Sequence, residues 1–339
     1  MAFKSHSALG HTAYADLLRL LHDDDAAGFE GSIRRKTIRG KTYLYETFRI
    51  GQKMKDRYLG EATAELEDRI SKAEALRAQT RERRTTRTRL VRRLRAEGYL
   101  GFDTKVGALL TALARIGVFR LGGTLVGTLA FRLYEGELGM RMTSDQIVQT
   151  GDVDIASFER LSLALGDTVT EPVSDVLARL NLGPVPALRP GHVWRWQDIE
   201  DELMVEFLTP AFGDEGLRKL PALGVSAQAL HYLNFLLADP IKAVALYRSG
   251  ILVQIPRPEA YAIHKLIVAD RRQAGPDELK SRKDRAQAAL LVEALAEMRP
   301  DELAEAYTDA LSRGPRWRAR IEASLKRMPE TAERLGPLA

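Results

Sequence analysis

Two aspartates one residue apart, Asp152 and Asp154, stand in the stretch VQTGDVDIASF over residues 148–158, in an otherwise apolar run. In a strand, residues i and i+2 project from one face, so the two carboxylates are forced together. Like charges that close repel, and burial makes the repulsion worse. A divalent metal with oxygen ligands relieves it; the alternative is a surface strand end where both aspartates are solvated. A third acid, Glu206, sits in MVEFL. It alternates with Val205 and Phe207, so it faces away from them, toward a face it can share with the aspartates. Glu202, four residues earlier on the same face, competes for that role, and a solvated strand position is the bland reading of Glu206.

Upstream, LVGTLAF places Val126-Gly127-Thr128 where a strand gives way to a helix. Glycine lets the backbone approach an anion, and a helix N-terminus offers free N–H groups and the positive end of a dipole. That is a phosphate cradle. Gly122-Gly123-Thr124 competes for the same role and reads as the turn before the strand. A phosphate cradle, two carboxylates on one strand and a third on a neighbour together describe a two-metal site for phosphoryl chemistry.

The elements that must hold these residues follow from pattern and punctuation. Residues 13–22 form a short amphipathic helix, and residues 31–61 a three-stranded meander with turns at Gly40 and Gly51. Tyr43, Tyr45, Phe48 and Tyr58 interleave there with Arg and Lys; a nucleic-acid platform and the packed face of a small sheet are the two readings. No Pro or Gly interrupts residues 62–97, which predicts a long helix ending at Gly98. Residues 103–116 form a helix capped by Asp103, and a strand, a glycine turn and a helix from Thr128 to Glu137 follow. Residues 172–190 form an irregular insertion with one short helix. Residues 192–210 read as two strands, residues 241–256 as a hairpin across Ser249-Gly250, and everything beyond Pro258 as helix: two long segments, then two more. His231 and His264 read as packed or surface histidines, and Trp194 and Trp196, flanking Arg195, as core packing.

Composition narrows the chemistry. The 339 residues contain no cysteine, which excludes disulfides, thiolate zinc sites and cysteine nucleophiles. The six histidines lack a metal-ligand spacing. No apolar run approaches the ~20 residues of a membrane span, and the N-terminus lacks a signal peptide's apolar core, so a cytoplasmic protein without membrane contact is expected. The net charge of +5 hides an asymmetry: residues 31–97 carry 20 Lys and Arg against 9 Asp and Glu, which leaves −6 for the remainder. Nine of those arginines fall in residues 77–95, on every side of a helical wheel. Such segregation predicts a polyanionic partner for this arm, with RNA the first suspect; a solvated connecting helix, or self-association with a second copy, are the alternatives.

The pattern LVGT-A followed by T-DVDIA resembles the polymerase-β-like nucleotidyltransferase superfamily, whose signature is a hydrophobic residue, Gly-Gly/Ser/Thr, then Asp-x-Asp. The interval from Gly127 to Asp152 is 25 residues, longer than in the shortest members. It is more similar to bacterial nucleotidyltransferase-fold proteins related to abortive-infection toxin nucleotidyltransferases. Tyr134-Glu135-Gly136, Leu138-Gly139, Arg141 and Thr150 fit their intervening segment. VQIPRPEAYAIHKLIVADRR and KSRKDRAQ resemble the same group's later pattern, which maps Lys265, Arg272, Lys283 and Asp284 onto its characteristic positions. The resemblance covers roughly residues 103–300.

It implies an α+β fold: a mixed-sheet nucleotidyltransferase core over residues 99–256 and a helical C-terminal domain over 257–339, with the meander and basic helix of residues 1–98 outside the core. It implies Mg²⁺ or Mn²⁺ held by Asp152, Asp154 and Glu206, and an NTP bound by Gly127, Thr128 and Lys265. Asp284 supports Lys265 or forms a local ion pair with Arg282, Lys283 or Arg285. The expected reaction moves a nucleoside monophosphate from an NTP to an acceptor hydroxyl on a nucleic-acid end such as RNA, a protein side chain or a small molecule. The rival is a module of this fold that binds nucleic acid or a partner without catalysis.

Overall fold

In chain order the protein runs β1 (Lys4–Ser5), α1 (Ala8–Asp25), β2 (Ser32–Ile38), β3 (Lys41–Ile50), β4 (Lys53–Glu61), α2 (Ala64–Ala96), α3 (Thr104–Arg115), β5 (Thr124–Leu125), α4 (Gly127–Leu138), β6 (Met140–Arg141) and β7 (Asp152–Ala156). It continues through α5 (Val173–Arg179), β8 (Leu182–Pro184), β9 (Arg195–Asp198), β10 (Met204–Pro210), β11 (Gly216–Leu220), β12 (Val225–Leu230), α6 (Leu233–Leu236) and the hairpin β13 (Ile241–Ala245) and β14 (Ile251–Ile255). The helices α7 (Pro258–Arg271), α8 (Glu278–Met298), α9 (Pro300–Ser312), α10 (Pro315–Leu325) and α11 (Pro329–Leu335) complete it. This computed structural model describes residues 4–25, 32–38, 40–50, 53–142, 151–159, 166–186, 193–272 and 278–338, so Thr150 lies outside it.

A seven-stranded mixed sheet carries the acids. Its path is β11-β12-β10-β7-β5, with β9 also on β10 and β8 on β9. β7 and β10 run parallel, with Asp154 opposite Glu206 and Asp152 opposite Met204. The other edge of β10 is divided: its first half pairs antiparallel with β9, bringing Arg195 opposite Glu206, and its last three residues pair parallel with β12. Alternation sorts the faces. Val153, Ile155, Val205 and Phe207 are fully buried, while Asp152, Asp154 and Glu206 between them are half-buried on the other face.

One hydrophobic cluster joins the sheet to helices from both ends of the chain. It runs from Leu109 and Leu113 of α3 through Val153 and Phe207 to Tyr261 and Ile263 of α7 and Leu291 and Leu295 of α8. Each such buried aliphatic or aromatic side chain is worth roughly 1.5–3 kcal/mol. Three helices, not two, follow α8, because Pro300, Pro315 and Pro329 each open a new one at a position where the missing N–H costs nothing. Residues 118–121, three apolar side chains and the exposed Arg120, are not a strand. Their backbone is spent on turns, with Val118 N–H donating to Leu113 and Gly123 N–H to Val118, so β5 starts only at Thr124.

The N-terminal segment divides in two. β1 pairs with β6, and α1 packs Tyr14, Leu17 and Leu21 against Val91 and Leu94 of α2 and Val244 and Leu246 of the hairpin. Tyr14 OH accepts the Val244 N–H at 3.0 Å, and His6 Nε2 lies 3.1 Å from buried Glu135. The meander β2-β3-β4 forms its own sheet. Leu44 and Thr47 are buried among its described residues; Tyr43 and Tyr45 are half-buried, Tyr45 meets exposed Tyr58 at 5.4 Å, and Lys36 lies over the Tyr45 ring. α2 begins at a Thr63 cap and ends as Gly98 takes φ +90. Among the described residues no helix is long and apolar enough to cross a membrane.

Candidate functional site

A cavity of about 640 Å³ opens where β7, β10, the start of α4 and one face of α7 meet, a size within the roughly 300–1,000 Å³ usual for small-molecule sites. Gly127, Thr128, Asp152, Asp154, Glu206, Lys265 and Asp284, all singled out by the sequence, line it together. Glu202 does not. It is exposed in the turn before β10 and never joins the strand face that alternation gave it.

Gly127 holds the strand-to-helix turn. Its φ is +61, a left-handed conformation that favours glycine, and a β-carbon there would stand under 3.0 Å from Asp154 Oδ2. The Val126 N–H donates to the Asp154 carbonyl at 2.9 Å, stitching the cradle to the acid strand. No side chain caps α4, so its first N–H groups are left for a ligand. They carry the positive end of a helix 12 residues long toward the cavity.

The acid wall is electrostatically loaded. Burial first, then the charges of Glu206 and Asp152, raise the Asp154 carboxyl to about 7 against the opposing charges of Lys265 and Arg272. Burial also raises Glu206, against the pull of the Arg195 charge. Arg195 Nε lies 2.7 Å from Glu206 Oε1, and its guanidinium sits 4.4 Å from the centre of the Trp194 ring.

The opposite wall is cationic. Lys265 is buried on α7 and pairs with Asp284 of α8 at 2.5 Å; Arg272 reaches the second Asp284 oxygen at 2.8 Å. Asp284 therefore answers two cations across the helix pair, while Arg282 pairs with Glu278 and Arg285 donates to Ser281 Oγ. Burial and the Lys265 charge lower the Lys283 amine. The same two causes drive His264 down to about 3, leaving a neutral imidazole on the cavity wall. Tyr261 OH donates to the Gly127 carbonyl at 2.8 Å and lies 3.1 Å from Gln287 Oε1, tying α7 to both α4 and α8.

Arg195, His231, His264, Arg271, Lys280 and Tyr261 also line the cavity, and sequence reasoning gave none of them a role there. A signal existed for two groups. Tyr261, Lys265, Val268 and Arg272 recur at helical spacing and mark one face of α7. A hairpin turning at residues 199–203 must pair Arg195 with Glu206.

The donor set suits a hard divalent cation: carboxylates crowded on one face, with Asp154 short of positive charge. Among the described residues, however, no group of three or more His, Asp and Glu side chains is already arranged to hold a metal ion. Glu206 is turned to Arg195 instead.

Residues 104–312 match a family model described as nucleotidyltransferase. No curated protein and no solved structure shows significant similarity to the chain.

Proposed function

The chain belongs to the nucleotidyltransferase family, and from that premise we propose that it is a metal-dependent enzyme of the polymerase-β-like type, akin to the toxin-related group. It moves a nucleoside monophosphate from an NTP to an acceptor hydroxyl. The observation that carries this reading is the convergence of a helix N-terminus, three carboxylates and a buried lysine on one cavity.

In this reading the α4 N–H groups at Gly127 and Thr128 take the β- and γ-phosphates, with Thr128 Oγ1 beside them. Lys265 adds a point charge, and Asp284 fixes its ammonium by pairing with it. The cationic wall stabilises the pyrophosphate as it leaves, and the apolar lining from Leu208 and Leu233 keeps water from the reacting phosphate. Asp152, Asp154 and Glu206 would hold Mg²⁺ or Mn²⁺. Such an ion, when bound, neutralises phosphate charge and makes the acceptor hydroxyl more acidic. The acceptor is an RNA or another polyanion gathered by the basic arm, where exposed Tyr58 and the arginines of α2 offer stacking and charge.

Calorimetric titration with each NTP, with and without Mg²⁺ or Mn²⁺, tests the reading, followed by transfer of α-labelled nucleotide to bulk RNA. Cation-dependent NTP binding that Asp152→Asn removes is the expected result. NTP binding indifferent to the cation would instead favour a non-catalytic module.

A further inference from the structure

Arg195 has no part in the roles above, yet it stands at the junction of the site. Across β9, β10 and β7, Arg195, Glu206 and Asp154 form one row of register partners. Arg195 also lines a second cavity, about 680 Å³, with Trp194, Arg218 and Gln228, and it alone is common to both linings.

The contact with Glu206 is close but poorly made. Nε lies 2.7 Å from the carboxylate, yet it is a buried nitrogen with no aligned hydrogen bond. The charge of Arg195, more than its hydrogen bonding, holds the pair. The pair is only partly buried, with the Arg195 side chain 36% exposed and that of Glu206 20%, so water reaches the guanidinium and parting the two costs less than breaking a fully buried pair. The cation–π contact with Trp194 gives the guanidinium a seat that does not depend on Glu206.

We propose that Arg195 is a resident counter-cation, which neutralises Glu206 while the nucleotide cavity is empty and yields it to the incoming divalent cation. The displaced guanidinium stays over Trp194, at the partition between the two cavities, and there takes a phosphate oxygen of the bound nucleotide. This rests on Asp152, Asp154 and Glu206 being the cation ligands. It accounts for the lack of a ready-made three-carboxylate cluster among the described residues: the third ligand is held in reserve.

Mn²⁺ titration of the nucleotide-free full-length protein, read by paramagnetic resonance of the free ion, tests the exchange in a double-mutant cycle. Arg195→Gln should bind Mn²⁺ about tenfold more tightly than the parent, because the competitor is gone. Glu206→Gln should bind it more weakly, and adding Arg195→Gln to that variant should gain less than about twofold. Arg195→Lys, which keeps the charge, should stay near the parent. Arg195→Met, which keeps the stem over Trp194, replaces Arg195→Gln if that variant does not fold. Equal gains in both backgrounds would mean a general field effect and overturn the exchange; so would no gain. Asp154→Asn binding Mn²⁺ like the parent would instead remove the cation reading itself.

Discussion

Asp154 and Glu206 are register partners on adjacent parallel strands, so two carboxylates that repel are held at one level of one sheet. Opposed like charges destabilise a sheet, and here burial deepens the effect. The native Asp154 carboxyl keeps its proton up to about 7, whereas its ordinary value is 3.8. The folded protein therefore binds more protons than the unfolded chain between those values, and stability falls as pH rises through that window. In thermal melts without divalent cation, Asp154→Asn should gain on the parent from pH 5 to pH 8, by about 1–3 kcal/mol at the upper end. Parallel melting curves would rule out a desolvated Asp154. Added Mg²⁺ should narrow the gap.

The third carboxylate separates from its neighbour in sequence. Glu206 lines the cavity and Glu202 is exposed outside it. Glu206→Gln should lower nucleotidyl transfer by about 10²–10³-fold, the scale of one lost transition-state contact. Glu202→Gln should stay within about twofold, as exposed positions away from a site do. Equal small losses would leave the site with two protein carboxylates.

Two glycines with positive φ isolate what the cradle requires. Gly122→Ala meets no atom within 4 Å, so it should cost only the left-handed backbone, about 1–2 kcal/mol. Gly127→Ala adds a collision with Asp154. It should melt lower than Gly122→Ala and lose metal-dependent NTP affinity, which Gly122→Ala keeps. NTP affinity unchanged in Gly127→Ala would remove this turn from phosphate binding.

The arm is better tested by substitution than by truncation, because removing residues 1–97 would take Tyr14 and Leu17 out of the core they share with Val244. Arg84, Arg89 and Arg92 are exposed on α2. Replacing all three with alanine should reduce the salt slope of RNA binding by about 2–3, one phosphate contact per arginine. Fluorescence anisotropy with a hairpin RNA over a salt series measures it. Sedimentation of the same variant shows whether the arm joins two copies instead. An unchanged slope with a lost dimer would favour that use.

The cradle, the acid pair and the long helices were legible because each rests on short-range physics: a glycine turn, a period of two, a run without Pro or Gly. What hid was set by partners distant in sequence. Asp284 pairs across helices with Lys265, 19 residues away, because α7 and α8 pack face to face. Glu202 kept the right parity for the acid face, yet the chain is still turning there, and β10 begins only at Met204. The tyrosines of the meander look like core by type, but Leu44 and Thr47 take buried places while Tyr43 and Tyr45 are half-buried and Tyr58 is exposed.

The Tyr261 hydroxyl acts as a strut between the helix that carries Lys265 and the turn that carries Gly127. Both jaws of the cavity are thus braced against each other before any ligand arrives. One hydrogen bond couples the two walls, so a disturbance at the glycine turn is felt at the lysine helix and the reverse.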